Sequence, residues 1–185
     1  MTAPEVTSAS NAAREIAVAD ESILIAGPKG YCIDPTATRD TAKSAFVVLG
    51  ACGAVAGRGG GAKAGLLLAS VTAAGSGRVA GATDQLAAYF SSDEGRAALS
   101  RSGDADAVKL LDHRVEGDAL YLHLRDTSNT SLAGVAPEYW RGMFDVNGHI
   151  ATVSVMDFAQ APRAANSGLE RARAFRRKIR PLSAE

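Results

Sequence analysis

The chain has 185 residues, 46% of them hydrophobic and 22% charged, a length and balance that can bury a core without a metal or a disulfide. Twenty basic and twenty acidic side chains cancel, so the molecule as a whole has no field that would gather a polyanion such as nucleic acid. No run of about 18 apolar residues occurs, so no transmembrane helix is expected.

Residues 1–20 are rich in Ala, Ser, Thr and Glu and read as a flexible N-terminal segment, with one α+β domain over 21–182. The opening MTAPEVTSAS lacks the basic and apolar regions of a signal peptide. It suits a cytoplasmic protein, or an exported mature form carrying an added Met1. Ordered structure is expected from Ser22. Ser22–Ala26 and Tyr31–Ile33 flank the turn sequence Gly27-Pro28-Lys29-Gly30, a first hairpin. Asp34-Pro35 can cap and start a short helix to about Ser44. Ala45–Val55 is a continuous apolar run, either a strand buried on both faces or a buried helix. A Gly-rich loop at 57–61 precedes a strand over Leu66–Thr72, which Gly75-Ser76-Gly77 breaks.

Thr83 suits a helix cap, and Leu86, Tyr89 and Phe90 mark one buried face of a helix to Ser100, weakened at Gly95 and closed by Gly103. Two hairpins follow. The first joins Val108–Val115 to Ala119–Asp126 through Glu116-Gly117-Asp118, with Leu120, Leu122 and Leu124 alternating against Tyr121, His123 and Arg125. The second joins Tyr139–Val146 to His149–Met156 through Asn147-Gly148, which suits a type I′ turn; Trp140, Phe144 and Val146 share a face. A polar connector over 157–166 leads to a helix over Gly168–Arg180, with Leu169, Ala172, Phe175 and Ile179 on one stripe and Pro181 ending it. Runs of strands favour an α+β fold, a mainly antiparallel twisted sheet with helices packed on it.

Few segments offer chemistry. Residues 57–62 and 75–80 both match G-x-G-x-x-A, but a dinucleotide site needs the match between a strand and a helix of a βαβ unit, and 57–62 precedes another strand. Nucleophile motifs are absent, and nothing calls for a metal or a cofactor. His113, His123 and His149 all fall on hairpin strands. Across the first turn His113 and His123 are expected roughly opposite one another, and with Arg125 they make the one candidate catalytic patch; two histidines and a carboxylate are also the minimum of a metal site. The competing reading is a set of solvent-facing strand residues. The last helix is basic and amphipathic: Arg171, Arg173, Arg176, Arg177, Lys178 and Arg180 face only Glu170. That pattern fits a protein partner or an anionic membrane surface. It also fits a helix packed by its stripe with its cations in water. No aromatics interleave with the arginines, which speaks against single-stranded nucleic acid. Cys32 and Cys52 are either one bridge, closing a loop of about 20 residues at roughly 3 kcal/mol of chain entropy, or two buried thiols.

Two stretches carry a resemblance. Ile23–Ala26, the turn Gly27–Cys32 and the run Phe46–Cys52 resemble the N-terminal part of uncharacterised envelope proteins or lipoproteins of alphaproteobacteria. The resemblance implies export to the periplasm or cell envelope and a Cys32–Cys52 disulfide, and it carries no activity. The order of elements, with an early hairpin, a late meander and a closing helix, also resembles the PsbP-like αβα sandwich. The sequence therefore reads as a non-enzymatic envelope protein that binds or scaffolds a partner. The alternatives are a small hydrolase-like enzyme built on His113, His123 and Arg125, and a membrane-surface binder working through the basic helix.

Overall fold

The computed structural model describes residues 12–60, 64–128 and 134–182. One antiparallel sheet organises them, in the order β3 (Tyr31–Ile33), β5 (Ser44–Ala51), β6 (Leu66–Thr72), β10 (His149–Phe158), β9 (Val135–Val146), β8 (Ala119–Asp126) and β7 (Val108–Glu116). A two-residue strand β4 (Arg39–Asp40) pairs beside β3 on β5. A second sheet of β1 (Glu15–Val18), β2 (Ile23–Ala26) and β11 (Ile179–Pro181) lies with α4 (Ala165–Arg176) on one face of the large sheet. Helices α2 (Thr83–Ser91) and α3 (Asp93–Leu99) cover the β7–β8 side of the other face. The α+β class, the mainly antiparallel sheet and the helices packed on it are as expected from the sequence.

Strand alternation builds both cores. On β8, Leu120, Leu122 and Leu124 point toward α2 and α3, and Ala119 and Tyr121 point toward α4. On β9, Trp140, Phe144 and Val146 join the α4 side, as expected. The apolar run at 45–55 is a strand followed by the single-turn α1 (Cys52–Val55). Val47 and Leu49 face one core and Val48 the other, so the strand is buried on both faces. The β9–β10 turn has Asn147 at φ 48° and Gly148 at φ 78°, as a type I′ turn requires. Gly168 lets α4 settle onto the sheet: a Cβ there would lie 2.6 Å from Trp140 Cδ1, and Trp140 Nε1 donates to Ala165 O at 2.7 Å.

Five expectations are corrected. The first hairpin does not form: Ile23–Ala26 pairs with β1 and β11, while Tyr31–Ile33 pairs with β5 in the other sheet. Order begins before Ser22, because Glu15–Val18 is a strand paired with β2; Ile16 and Val18 pack into the core. Residues 1–11 of the expected flexible segment lie outside the described residues. No helix follows Asp34. Its carboxylate instead accepts from Thr36 N at 2.9 Å and Thr36 Oγ1 at 2.6 Å, an Asx turn, and the chain then pairs as β4. The helix over 83–100 is two helices. Ser92 is extended, and its hydroxyl accepts from Gly95 N at 3.1 Å to cap α3, so the break falls at Ser92 and not at Gly95; Thr83 provides no side-chain cap. The terminal helix stops at Arg176. Pro181 would clash with the Arg177 carbonyl in a continued helix and biases Arg180 to extended backbone. Residues 179–181 pair with β2 instead, flanked by Ala26 N→Lys178 O at 3.1 Å and Leu182 N→Ser22 O at 3.0 Å.

Candidate functional site

The two candidate surfaces fare differently. His113 and His123 do not meet. The β7–β8 turn holds only Gly117 and Asp118, because Glu116 pairs with Ala119 as part of the strand. That shifts the register by one residue and puts the two histidines on opposite faces. His113 sits opposite Leu122 and Asp112 opposite His123. His123 stacks on Trp140, with ring centroids 4.8 Å apart and planes at 5°, and its Nε2 lies 3.9 Å from Glu138 Oε2. Arg125 holds the same Glu138. Burial lowers the His123 pKa below its ordinary value, with Glu138 and Asp112 pulling the other way. Tyr121, expected beside them, is 1% exposed and belongs to the core under α4. Among the described residues, none of the five main cavities is lined by His113, His123 or Arg125. The third histidine, His149, is tied through Nδ1 to Thr72 O at 2.7 Å.

The second G-x-G-x-x-A stretch is also spoken for. The N–H groups of Val79 (2.9 and 3.1 Å) and Ala80 (2.8 Å) donate to the Asp145 carboxylate, an internal anion where a phosphate would sit. The strands on either side of the first stretch, β5 and β6, are antiparallel and make no βαβ unit.

The basic segment divides. The apolar stripe Leu169, Ala172 and Phe175 is buried against the sheet, so α4 has no apolar face left for a bilayer. Arg171 turns to Asp157 at 2.7 Å and Lys178 is exposed. The other four, Arg173 and Arg176 on α4, Arg177 at its C-terminal cap and Arg180 on β11, line one groove of about 560 Å³ with Tyr121 and Phe144 among its lining residues. Spacings of three and four bring Arg173, Arg176 and the capping Arg177 to one side of α4. Arg176 lies over the Phe144 ring, its Cζ 5.2 Å from the centroid. Arg173 grips Glu116 from the end of β7: its Nε is 3.0 Å from both carboxylate oxygens, and Nη2 adds a further bond. The Arg173 hydrogen bond holds the Glu116 carboxyl below its ordinary pKa, and Glu116 in turn raises that of Arg173. Arg177 and Arg180 make no ion pair among the described residues. Four guanidinium groups thus face two carboxylates, and Glu116 is tied to Arg173 while Asp145 is held by backbone amides. The groove carries a local positive excess that the neutral total charge conceals.

At the other edge of the large sheet Cys32 on β3 and Cys52 on α1 are joined by a disulfide, with Cα atoms 4.7 Å apart. Among the described residues no helix is long and apolar enough to cross a membrane, and no three His, Cys, Asp or Glu side chains converge as metal ligands would.

No protein-family model matches the chain, and no curated protein matches it at a significant level. Among solved structures it is similar to cyanobacterial PsbP (CyanoP) from Synechocystis sp. PCC 6803, at 11% identity over 97% of this chain and 98% of that one, with a TM-score of 0.47. Similarity at that level transfers no residue, ligand or activity.

Proposed function

We propose that the chain is a non-catalytic binding module of the cell envelope that holds a protein partner through the arginine groove. The observation that carries this reading is the pair Arg177 and Arg180, guanidinium groups that have no carboxylate partner among the described residues and line a concave surface together with Tyr121 and Phe144. A guanidinium offers five donors in a fixed fork, and a groove presenting several of them is suited to an anionic ligand. A catalytic role has less support: His123 is stacked on Trp140 and Glu138 is held by Arg125, so neither is poised beside a nucleophile. The membrane-surface role loses its apolar anchor in the buried stripe of α4.

The compartment proposed is the periplasm. It is supported by the Cys32–Cys52 disulfide, since such bridges persist in oxidising compartments, and by the likeness of Gly27–Cys32 and Phe46–Cys52 to alphaproteobacterial envelope proteins and lipoproteins.

The test is photo-cross-linking in the producing cell, from a reactive residue placed at Asn147 on the groove rim. One discrete protein adduct is expected, lost on Arg177→Glu with Arg180→Glu. No adduct, or an adduct indifferent to the charge reversal, would refute the reading.

A further inference from the structure

Resting on that reading, we infer that the groove is a carboxylate site, that its occupant is an acidic peptide segment of the partner, and that Glu116 is a built-in competitor for Arg173.

The groove already holds one glutamate. Glu116 reaches in from the last position of β7 and meets Arg173 side-on, both oxygens sharing Nε at 3.0 Å. That is the charge-assisted geometry a peptide carboxylate would take. Arg177 and Arg180 offer the same chemistry with no ion-pair partner among the described residues, and Arg176 lies over Phe144. In an extended peptide, side chains at i and i+2 point the same way, so acidic residues at alternate positions can reach successive guanidinium groups. Recognition runs through side chains and not through strand addition. β11 is an edge strand, but it spans only Ile179–Pro181 and its last residue has no N–H to donate. A lipid surface fits poorly, because the site is concave and the apolar face of α4 is buried.

Glu116 and an incoming carboxylate cannot share Arg173 in this geometry. While Glu116 is charged, which its lowered pKa favours, it neutralises a quarter of the groove's cations. Removing that charge frees Arg173 for the ligand.

The experiment uses the full chain and a fluorescent peptide of alternating Glu and Ser, read by anisotropy. A Gln/Ser peptide, inorganic polyphosphate and phosphatidylglycerol vesicles are compared alongside it. The acidic peptide is expected to bind, and to lose about tenfold in affinity between roughly 50 and 200 mM salt. Arg177→Glu with Arg180→Glu should abolish binding. Glu116→Gln should tighten it by about threefold, the scale of a partly exposed ion pair. Retained melting temperatures show that the variants fold. Peptide binding that ignores the double charge reversal, or that weakens or stays unchanged in Glu116→Gln, overturns the inference. Groove-dependent binding of polyphosphate or vesicles without the peptide also overturns it, yet leaves the binding role standing if the Asn147 adduct forms. Failure of every anion together with absence of the adduct removes both.

Discussion

Removing the Cys32–Cys52 bridge should cost about 3 kcal/mol. The bridge spans a sequence separation of 20, and chain-entropy theory for a loop of that length gives about 3 kcal/mol at 25 °C. The location of the bridge supports the full effect. β3 has only three residues and lies at the sheet edge, paired on one side through Tyr31–Ile33 with β5. The bridge ties that short strand to the first residue of α1, where the chain leaves β5. For a chain of this size the loss corresponds to a fall in melting temperature of roughly 6–12 °C. Calorimetry of the oxidised protein, of the protein reduced until mass analysis finds two thiols, and of Cys32→Ala with Cys52→Ala would measure it. Cys32 is buried, so the alanine variant also loses packing and should melt at or slightly below the reduced protein. A reduced protein that melts within about 1 °C of the oxidised one would refute the reasoning, because the loop would then be held closed by its other contacts.

Two further predictions concern the sheet face under α4. Gly168→Ala should destabilise by about 1–3 kcal/mol although Ala is the better helix former, because the new Cβ would press on Trp140 Cδ1. Trp140 is the only tryptophan, so its fluorescence during urea unfolding reports the effect, and a raised midpoint would contradict the packing argument. His123 should make stability fall with acid. Burial lowers its folded pKa below the ordinary 6.5, so the unfolded chain takes up its proton at a higher pH. Its contribution is therefore complete above 6.5 and is lost as pH falls toward the folded value. His123→Phe keeps an aromatic ring against Trp140 and should flatten the urea midpoint between about pH 7 and 5; an unchanged slope would count against a buried, neutral His123.

Where local chemistry and tertiary outcome agree, the fold was legible. The Asn147-Gly148 turn, the leucines of β8 and the Leu169–Ala172–Phe175 stripe each carry a period or a turn residue that tertiary contacts reinforce. The β1–β2 hairpin carried no such mark. Its turn runs through Ala19, Asp20 and Glu21, all at positive φ, a conformation with no Gly or Asn to announce it. At Ile179 the helical period continued one step past the helix itself, since a residue four beyond Phe175 is equally apolar in a strand. The candidate site was half legible. Its cations stand out in the sequence, but their division does not: Arg171 goes to Asp157, Arg173 to Glu116 across 57 positions, and Arg176 to Phe144. The packing of α4 across β9 and β10, with the end of β7 beside it, decides those partners. The histidine patch failed for a smaller reason, one residue of turn length, which in a period-two structure moves a side chain to the other face.

The groove's role is tested most directly by a side-chain NMR titration of the arginine Nε–H signals with the acidic peptide. The signals of Arg176, Arg177 and Arg180 should shift together and saturate, joined by Arg173 in Glu116→Gln, while those of Arg171, engaged by Asp157, and Arg125, engaged by Glu138, stay in place. Shifts spread evenly over exposed arginines, or confined to residues outside the groove, would contradict it.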